Sequence, residues 1–283
     1  MSTIASITSK DGTTIGYRQL GHGPGVVLVQ GTMGSAQNFM ELAGALADSF
    51  TVYVPDRRGR GLSSLPYSPD YRIQNDVDDL EALLRQTGAQ DVFGLSSGAI
   101  IALQAARTLT GIRKLAIFEP PLFIDGAPIA LVRRYEREMA DGKVAAALIT
   151  AMKAAQMGPA IFNVIPGWLL EPLTNMAMSQ EEKKGTGDYI PMRQLAPTLQ
   201  YDFQVVLEIS GHVDDFRSVN ADVLLLGGSK SPAYLKSGLD TLEKVLPHAT
   251  RVEFPGLGHA ASWNKDRGGQ PEQVAAELRK FFS

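Results

Sequence analysis

The 283-residue chain contains no cysteine, which excludes disulfides, a thiolate nucleophile and any cysteine-ligated metal. It has no excess of either charge: 27 Lys and Arg stand against 30 Asp and Glu, a net charge of -3. That balance offers no electrostatic footprint for nucleic acid, and no polybasic run suits an anionic membrane. No apolar stretch approaches the roughly 18 residues of a membrane span. The start, Met1-Ser2-Thr3-Ile4-Ala5, lacks a basic segment followed by an apolar one, so no secretory leader is read and a cytoplasmic location is the expectation. Histidine is scarce, four residues in all, which leaves a general base few candidates. The chain is otherwise 44% hydrophobic and 20% charged, an ordinary globular composition long enough for one domain or two.

Strands and helices alternate along the first part of the chain. Residues 3–8 and 13–19 read as two strands joined by a turn at Lys10-Asp11-Gly12. Further strands are expected at 26–29, 51–54, 92–93 and 115–118. Helices are expected at 36–47, 72–86 and 98–109. The β-branched run Val26-Val27-Leu28-Val29 is typical of a strand buried on both faces. Such alternation predicts a parallel sheet with helical crossovers. From 122 to 216 no buried strand is read, only helical segments at 130–139, 144–157 and 194–209 separated by Pro- and Gly-broken pieces. Alternation resumes with strands at 222–227 and 250–254 and helices at 234–246 and 271–282. The expected fold is α/β, a mostly parallel doubly wound sheet. Residues 1–121 and 217–283 form the core, and 122–216 a helical insertion.

One stretch has chemical content. Gly94-Leu95-Ser96-Ser97-Gly98 lies between a strand and a helix, the setting in which G-x-S-x-G projects a nucleophile. Small residues are needed two before and two after the serine, because strand and helix backbones pass close there. The Ser96 hydroxyl would leave the sheet edge, and the backbone N–H of Ser97 would sit at the helix start as an oxyanion donor. A serine hydroxyl needs a base. Among the four histidines, His259 lies in Gly256-Leu257-Gly258-His259, after the last strand and at the same sheet edge. The turn Gln30-Gly31-Thr32-Met33-Gly34-Ser35 opens there too and offers the Thr32 N–H as a second donor. It is neither a G-x-G-x-x-G nor a Walker loop, which argues against nucleotide phosphates.

Taken together, these features resemble the α/β-hydrolase family over nearly the whole length. The features are the elbow, the early turn, the loop Asp56-Arg57-Arg58-Gly59-Arg60-Gly61-Leu62-Ser63, the late Gly-His loop and the insertion where that family carries its cap. The order nucleophile, acid, histidine in that family fits Ser96 and His259. The resemblance gives the Asp56 loop a structural role and no catalytic one. Two departures stand out. The early turn begins Gln30-Gly31 where the family usually has His-Gly. The loop in which the family usually carries its acid reads Gly227-Gly228-Ser229-Lys230-Ser231-Pro232, with no carboxylate. Glu119, ending the 115–118 strand, is the expected acid instead. Family members including lactonases of resorcylic macrolides are similar in this respect. Asp214, Asp215 and Asp222 are weaker alternatives.

The resemblance implies a serine hydrolase of a carboxylic ester or lactone, with no metal or organic cofactor. An Asp nucleophile for epoxide hydrolase or dehalogenase chemistry is absent from the elbow. Met33 and Trp168 are the substrate-facing candidates. The insertion supplies further apolar residues, among them Met152, Met157, Phe162, Ile165, Leu169, Met176 and Met192. With no cluster of Lys or Arg there, the expected substrate is a neutral, largely apolar small molecule. C–C bond hydrolysis or a lyase step on a ketone, and a non-catalytic receptor, are the alternatives. A homodimer stays open.

Overall fold

Strands with no polar alternation require cover on both faces, and these strands obtain it. The computed structural model describes residues 2–124, 126–157, 165–185 and 189–283. The chain begins with the hairpin β1 (Thr3–Thr8) and β2 (Thr14–Gly21). It continues through β3 (Gly25–Val29), α1 (Met40–Leu46), β4 (Thr51–Pro55), α2 (Ile73–Thr87), β5 (Asp91–Leu95), α3 (Ser97–Thr108) and β6 (Lys114–Phe118). Five helices follow: α4 (Ile129–Ala140), α5 (Val144–Ala154), α6 (Gly167–Lys184), α7 (Met192–Leu195) and α8 (Leu199–Ile209). The last elements are β7 (Asp222–Gly228), α9 (Ala233–Val245), β8 (Ala249–Phe254) and α10 (Pro271–Phe282).

The eight strands form one sheet in the order β1-β2-β4-β3-β5-β6-β7-β8. From β4 onward in that order neighbours are parallel, while β1–β2 and β2–β4 are antiparallel. Successive side chains of each strand serve opposite layers. Val27, Val29, Val92, Leu115 and Ile117 pack with residues of α2, α3 and α9. Val26, Leu28, Phe93, Leu95 and Phe118 pack with residues of α1 and α10. Each such side chain, fully buried, contributes about 1.5–3 kcal/mol. The sheet is therefore wound on both faces, as the alternation of the sequence predicts.

The inserted helices, between β6 and β7, build a third and smaller apolar cluster from Tyr135, Leu148, Met178 and Leu199, among others. Helix α8 belongs to both regions, since Tyr201, Val205 and Ile209 join the sheet-side cluster. The structure departs from the expected elements in three places. Residues 36–47 divide into a 3-10 turn (Ala36–Phe39) and α1. Residues 192–209 form α7, a 3-10 turn at Ala196–Thr198 and α8, because Pro197 lacks the N–H that one continuous helix would use. Helix α6 is not among the expected segments, since Pro166 and Gly167 fall in a Pro- and Gly-broken piece. It runs through Pro172, and its apolar residues Trp168, Leu169, Leu173 and Met176 face solvent, which blurs the helical pattern. No helix among the described residues is long and apolar enough to cross a membrane.

Candidate active site

The elbow turns as sharply as its glycines permit. Ser96 has φ 56° and ψ −124°, a backbone state that costs an L residue about 1–3 kcal/mol. A Cβ on Gly94 would lie 2.6 Å from the Gly98 carbonyl oxygen, and one on Gly98 would lie 2.4 Å from that of Gln30. The second glycine thus serves the approach of α3 to the end of β3 as well as the turn itself. The early turn abuts the nucleophile directly, for a Cβ on Gly31 would sit 2.7 Å from the Ser96 Cβ. Four non-glycine residues with positive φ occur among the described residues: Met33, Ser96, Glu119 and Gln156. The first two line the main cavity, Gln156 lies between its lining residues Ala155 and Met157, and Glu119 lies behind His259. Strain in this molecule is concentrated at one place.

Glu119 leaves the end of β6 fully buried, with φ 45°. Its Oε2 lies 2.8 Å from His259 Nδ1. Its Oε1 accepts the Gly228 N–H at 2.6 Å. The two glycines that end β7 make this possible. A Cβ on Gly227 would stand 3.1 Å from Glu119 Oε1, and one on Gly228 would stand 2.4 Å from the Leu257 carbonyl oxygen. The end of β7 is thus shaped around a carboxylate supplied by β6. Ser231 is buried there, and its hydroxyl has no hydrogen-bond partner. The other three histidines, His22, His212 and His248, are exposed. Asp214 and Asp215 pair with Arg217 and Arg107, and Asp222 starts β7 at the far edge of the sheet.

Ser96, His259, Thr32 and Met33 all line one cavity of about 600 Å³, a volume suited to a small organic molecule. Its walls are mainly apolar: Pro121, Phe123, Val132, Leu148 and Val206 face it, as do Met152, Met157 and Met192 of the expected set. Charged residues also reach it, namely Glu181, Asp202, Asp266 and Arg267. Arg267 Nη1 donates to the Met33 carbonyl at 2.9 Å, and its guanidinium lies 5.4 Å from the Trp263 ring centre. Trp168 is a correction. It is 68% exposed and does not line the cavity, because the first turn of α6 presents it to solvent. Ile165, Leu169 and Met176 are likewise absent from the lining, and Phe162 falls outside the described residues. No group of three or more His, Cys, Asp or Glu among the described residues could hold a metal ion.

Sequence reasoning missed a second set of charges under the elbow. Asp56 acts as a structural turn residue: its Oδ1 accepts the Ala36 N–H at 2.6 Å and its Oδ2 the Leu62 N–H at 3.0 Å. Its neighbours Arg57 and Arg60 are buried and pair with Asp202 of α8. Burial pulls Asp202 toward the neutral acid, yet Arg60 and Arg57 outweigh it and hold the carboxyl below its ordinary value of 3.8. Ser97 Oγ donates to Asp202 Oδ1 at 2.6 Å. A signal did exist. Asp202 interrupts the buried stripe Leu199, Val205, Ile209 of α8, where an unpartnered carboxylate would not survive.

Comparison with known proteins bears on the fold and the site together. A family model described as the alpha/beta hydrolase family matches residues 26–277. The chain is similar to an uncharacterized hydrolase, YraK, of Bacillus subtilis, 40% identical over 95 residues, 32% of this chain and 35% of that protein. It is also similar to a cis-3-alkyl-4-alkyloxetan-2-one decarboxylase of Shewanella oneidensis. That match is 27% identical over 263 residues, 89% of this chain and 81% of that protein. A solved alpha/beta hydrolase from Sphaerobacter thermophilus superposes with a TM-score of 0.80 at 29% identity, covering 99% of this chain and all of that one.

Proposed function

Because the chain belongs to the alpha/beta hydrolase family, we propose that it is a serine hydrolase of neutral, largely apolar carboxylic esters or lactones. Ser96 attacks the substrate carbonyl. His259 takes the serine proton and returns it to the leaving oxygen. Glu119 fixes the imidazole and stabilises its charged form. The backbone N–H groups of Thr32 and Ser97 hold the oxyanion. Water then repeats the sequence on the acyl-enzyme. One observation carries the reading: a fully buried carboxylate lies 2.8 Å from the His259 imidazole, beside a cavity lined by both that imidazole and the strained serine. The apolar walls of the cavity support the substrate class.

The test is reactivity at Ser96. A fluorophosphonate should label the wild type and leave Ser96→Ala untouched, and the wild type should release p-nitrophenol from short p-nitrophenyl esters. Absence of labelling in the wild type would favour a receptor. A second reading, a lyase step with the same residues, is favoured by the likeness to an oxetan-2-one decarboxylase, whose named substrate is a four-membered lactone. Product analysis on such a lactone separates the two: hydrolysis gives a 3-hydroxy acid, decarboxylation an alkene and carbon dioxide. An assay on diketones tests C–C bond hydrolysis.

A further inference from the structure

The ion cluster under the elbow converges on the two backbone segments that flank the proposed oxyanion hole. Arg60 Nη2 donates to Asp202 Oδ2 at 2.6 Å, and Arg57 Nη1 donates to Asp202 Oδ1 at 2.8 Å. None of the three side chains is more than 4% exposed. From there Arg60 Nη1 donates to the carbonyls of Gly31 at 2.9 Å and Gly34 at 3.2 Å. Arg57 Nη1 reaches the Gln30 carbonyl at 3.3 Å and Ser97 Oγ at 3.1 Å. The Thr32 and Ser97 hydroxyls lie 3.4 Å apart. Asp202 comes from the inserted helices, and the other members come from the loops after β3 and β4 and from the start of α3.

The contact to Gly31 has a specific consequence. The Gly31 carbonyl and the Thr32 N–H belong to one planar trans peptide, so they point in opposite directions. Holding the carbonyl toward Arg60 points the N–H the opposite way within that plane, and Gly31 lies against Ser96. The direction of one oxyanion donor is thus set by a guanidinium. Among the described residues Asp202 is the carboxylate that pairs with that guanidinium. The second donor belongs to Ser97, whose hydroxyl bonds to the same carboxylate.

We propose that Asp202 is a positioning residue for the oxyanion hole: through Arg60 it orients the Thr32 N–H, and through Ser97 Oγ it fixes the neighbouring N–H. Correct seating of α8 and competence of the hole are then a single event. This rests on the serine-hydrolase reading.

The experiment compares Asp202→Asn, Ser97→Ala and a control, Tyr135→Phe. The control removes a buried hydroxyl of the inserted helices that donates to the Ala196 carbonyl rather than to a member of the cluster. Steady-state hydrolysis of a p-nitrophenyl ester and inhibition by a trifluoromethyl ketone are measured, because the ketone's serine adduct carries the oxyanion. Asp202→Asn should lower kcat and weaken the ketone by about 10- to 100-fold each, with KM held within about threefold. Ser97→Ala keeps its N–H and should lose about 3- to 10-fold in kcat. Tyr135→Phe should lower Tm and leave kcat within about twofold. Wild-type kcat and ketone affinity in Asp202→Asn would overturn the proposal, as would a loss confined to KM and Tm. If Asp202→Asn does not accumulate folded, the same outcome in Ser97→Ala decides. A wild type that resists fluorophosphonate would instead overturn the serine-hydrolase reading, and this proposal with it.

Discussion

Two buried carboxylates reach the neighbourhood of Ser96, Glu119 through His259 and Asp202 through Ser97, and their partners differ in kind. Glu119 faces one imidazole and one backbone N–H. Asp202 faces two guanidiniums and a hydroxyl. A carboxylate whose ion-pair partner is an imidazole answers to that partner: its charge gains most when the imidazole becomes imidazolium. A carboxylate already neutralised by two permanent cations has nothing left to give to a proton transfer, and its rigidity is what it contributes. The two come from different parts of the fold, Glu119 from the sheet edge and Asp202 from the inserted helices. On the proposed mechanism the sheet supplies the group whose partner changes charge, and the insertion supplies a fixed brace.

The comparison breaks most visibly at Glu119. Glu119→Gln keeps an acceptor for the Gly228 N–H and loses the charge, so kcat should fall about 10³- to 10⁴-fold, by analogy with other triad-acid amides, while Tm moves little. Ester hydrolysis at pH 7.5 checks this, and an unchanged rate would assign the acid elsewhere. At Asp202 the expected difference lies in stability against pH. Its carboxyl titrates below the ordinary value in the folded state, so its contribution is present above the unfolded value of about 4 and is lost as pH falls below it. The Tm gap between wild type and Asp202→Asn should be widest near neutrality and should shrink below about pH 4. A gap that is constant with pH would mean that the charge is not what the arginines hold. The smallest change is Gly227→Ala. Its Cβ would press on Leu239 Cδ1 at 2.7 Å and approach Glu119 Oε1 at 3.1 Å. Overpacking should lower stability by about 1–3 kcal/mol in urea unfolding, with a loss of kcat larger than the same change made at Gly44, where a Cβ meets nothing.

Much of this was legible in the order of residues. The elbow is visible because a strand, two spaced glycines and a helix leave little freedom for the serine between them. Glu119 is visible by position, at the end of the strand beside the elbow, once the loop after β7 is seen to carry only Gly, Ser, Lys and Pro. The structure adds the reason: Gly227 and Gly228 leave space that the carboxylate occupies. Asp202 was missed because no spacing rule links a residue in the middle of a helix to arginines some 140 positions earlier. The only local trace is a charge in an apolar stripe. Helix α6 escapes the sequence because several of its apolar side chains face solvent, so that Pro166 and Gly167 dominate the reading. The same orientation removed Trp168 from the cavity.

The sheet order has a consequence for how the protein is made. The early turn, the serine and Glu119 all lie on adjacent strands β3, β5 and β6, within the first 119 residues. The imidazole follows Glu119 by 140 residues, after every inserted helix and both remaining strands. On the serine-hydrolase reading, a chain growing from its N-terminus therefore holds the serine through the middle of its synthesis without the group that would activate it. The proposed activation then becomes available only when the last loop folds back onto the sheet, by which time the inserted helices have already been made.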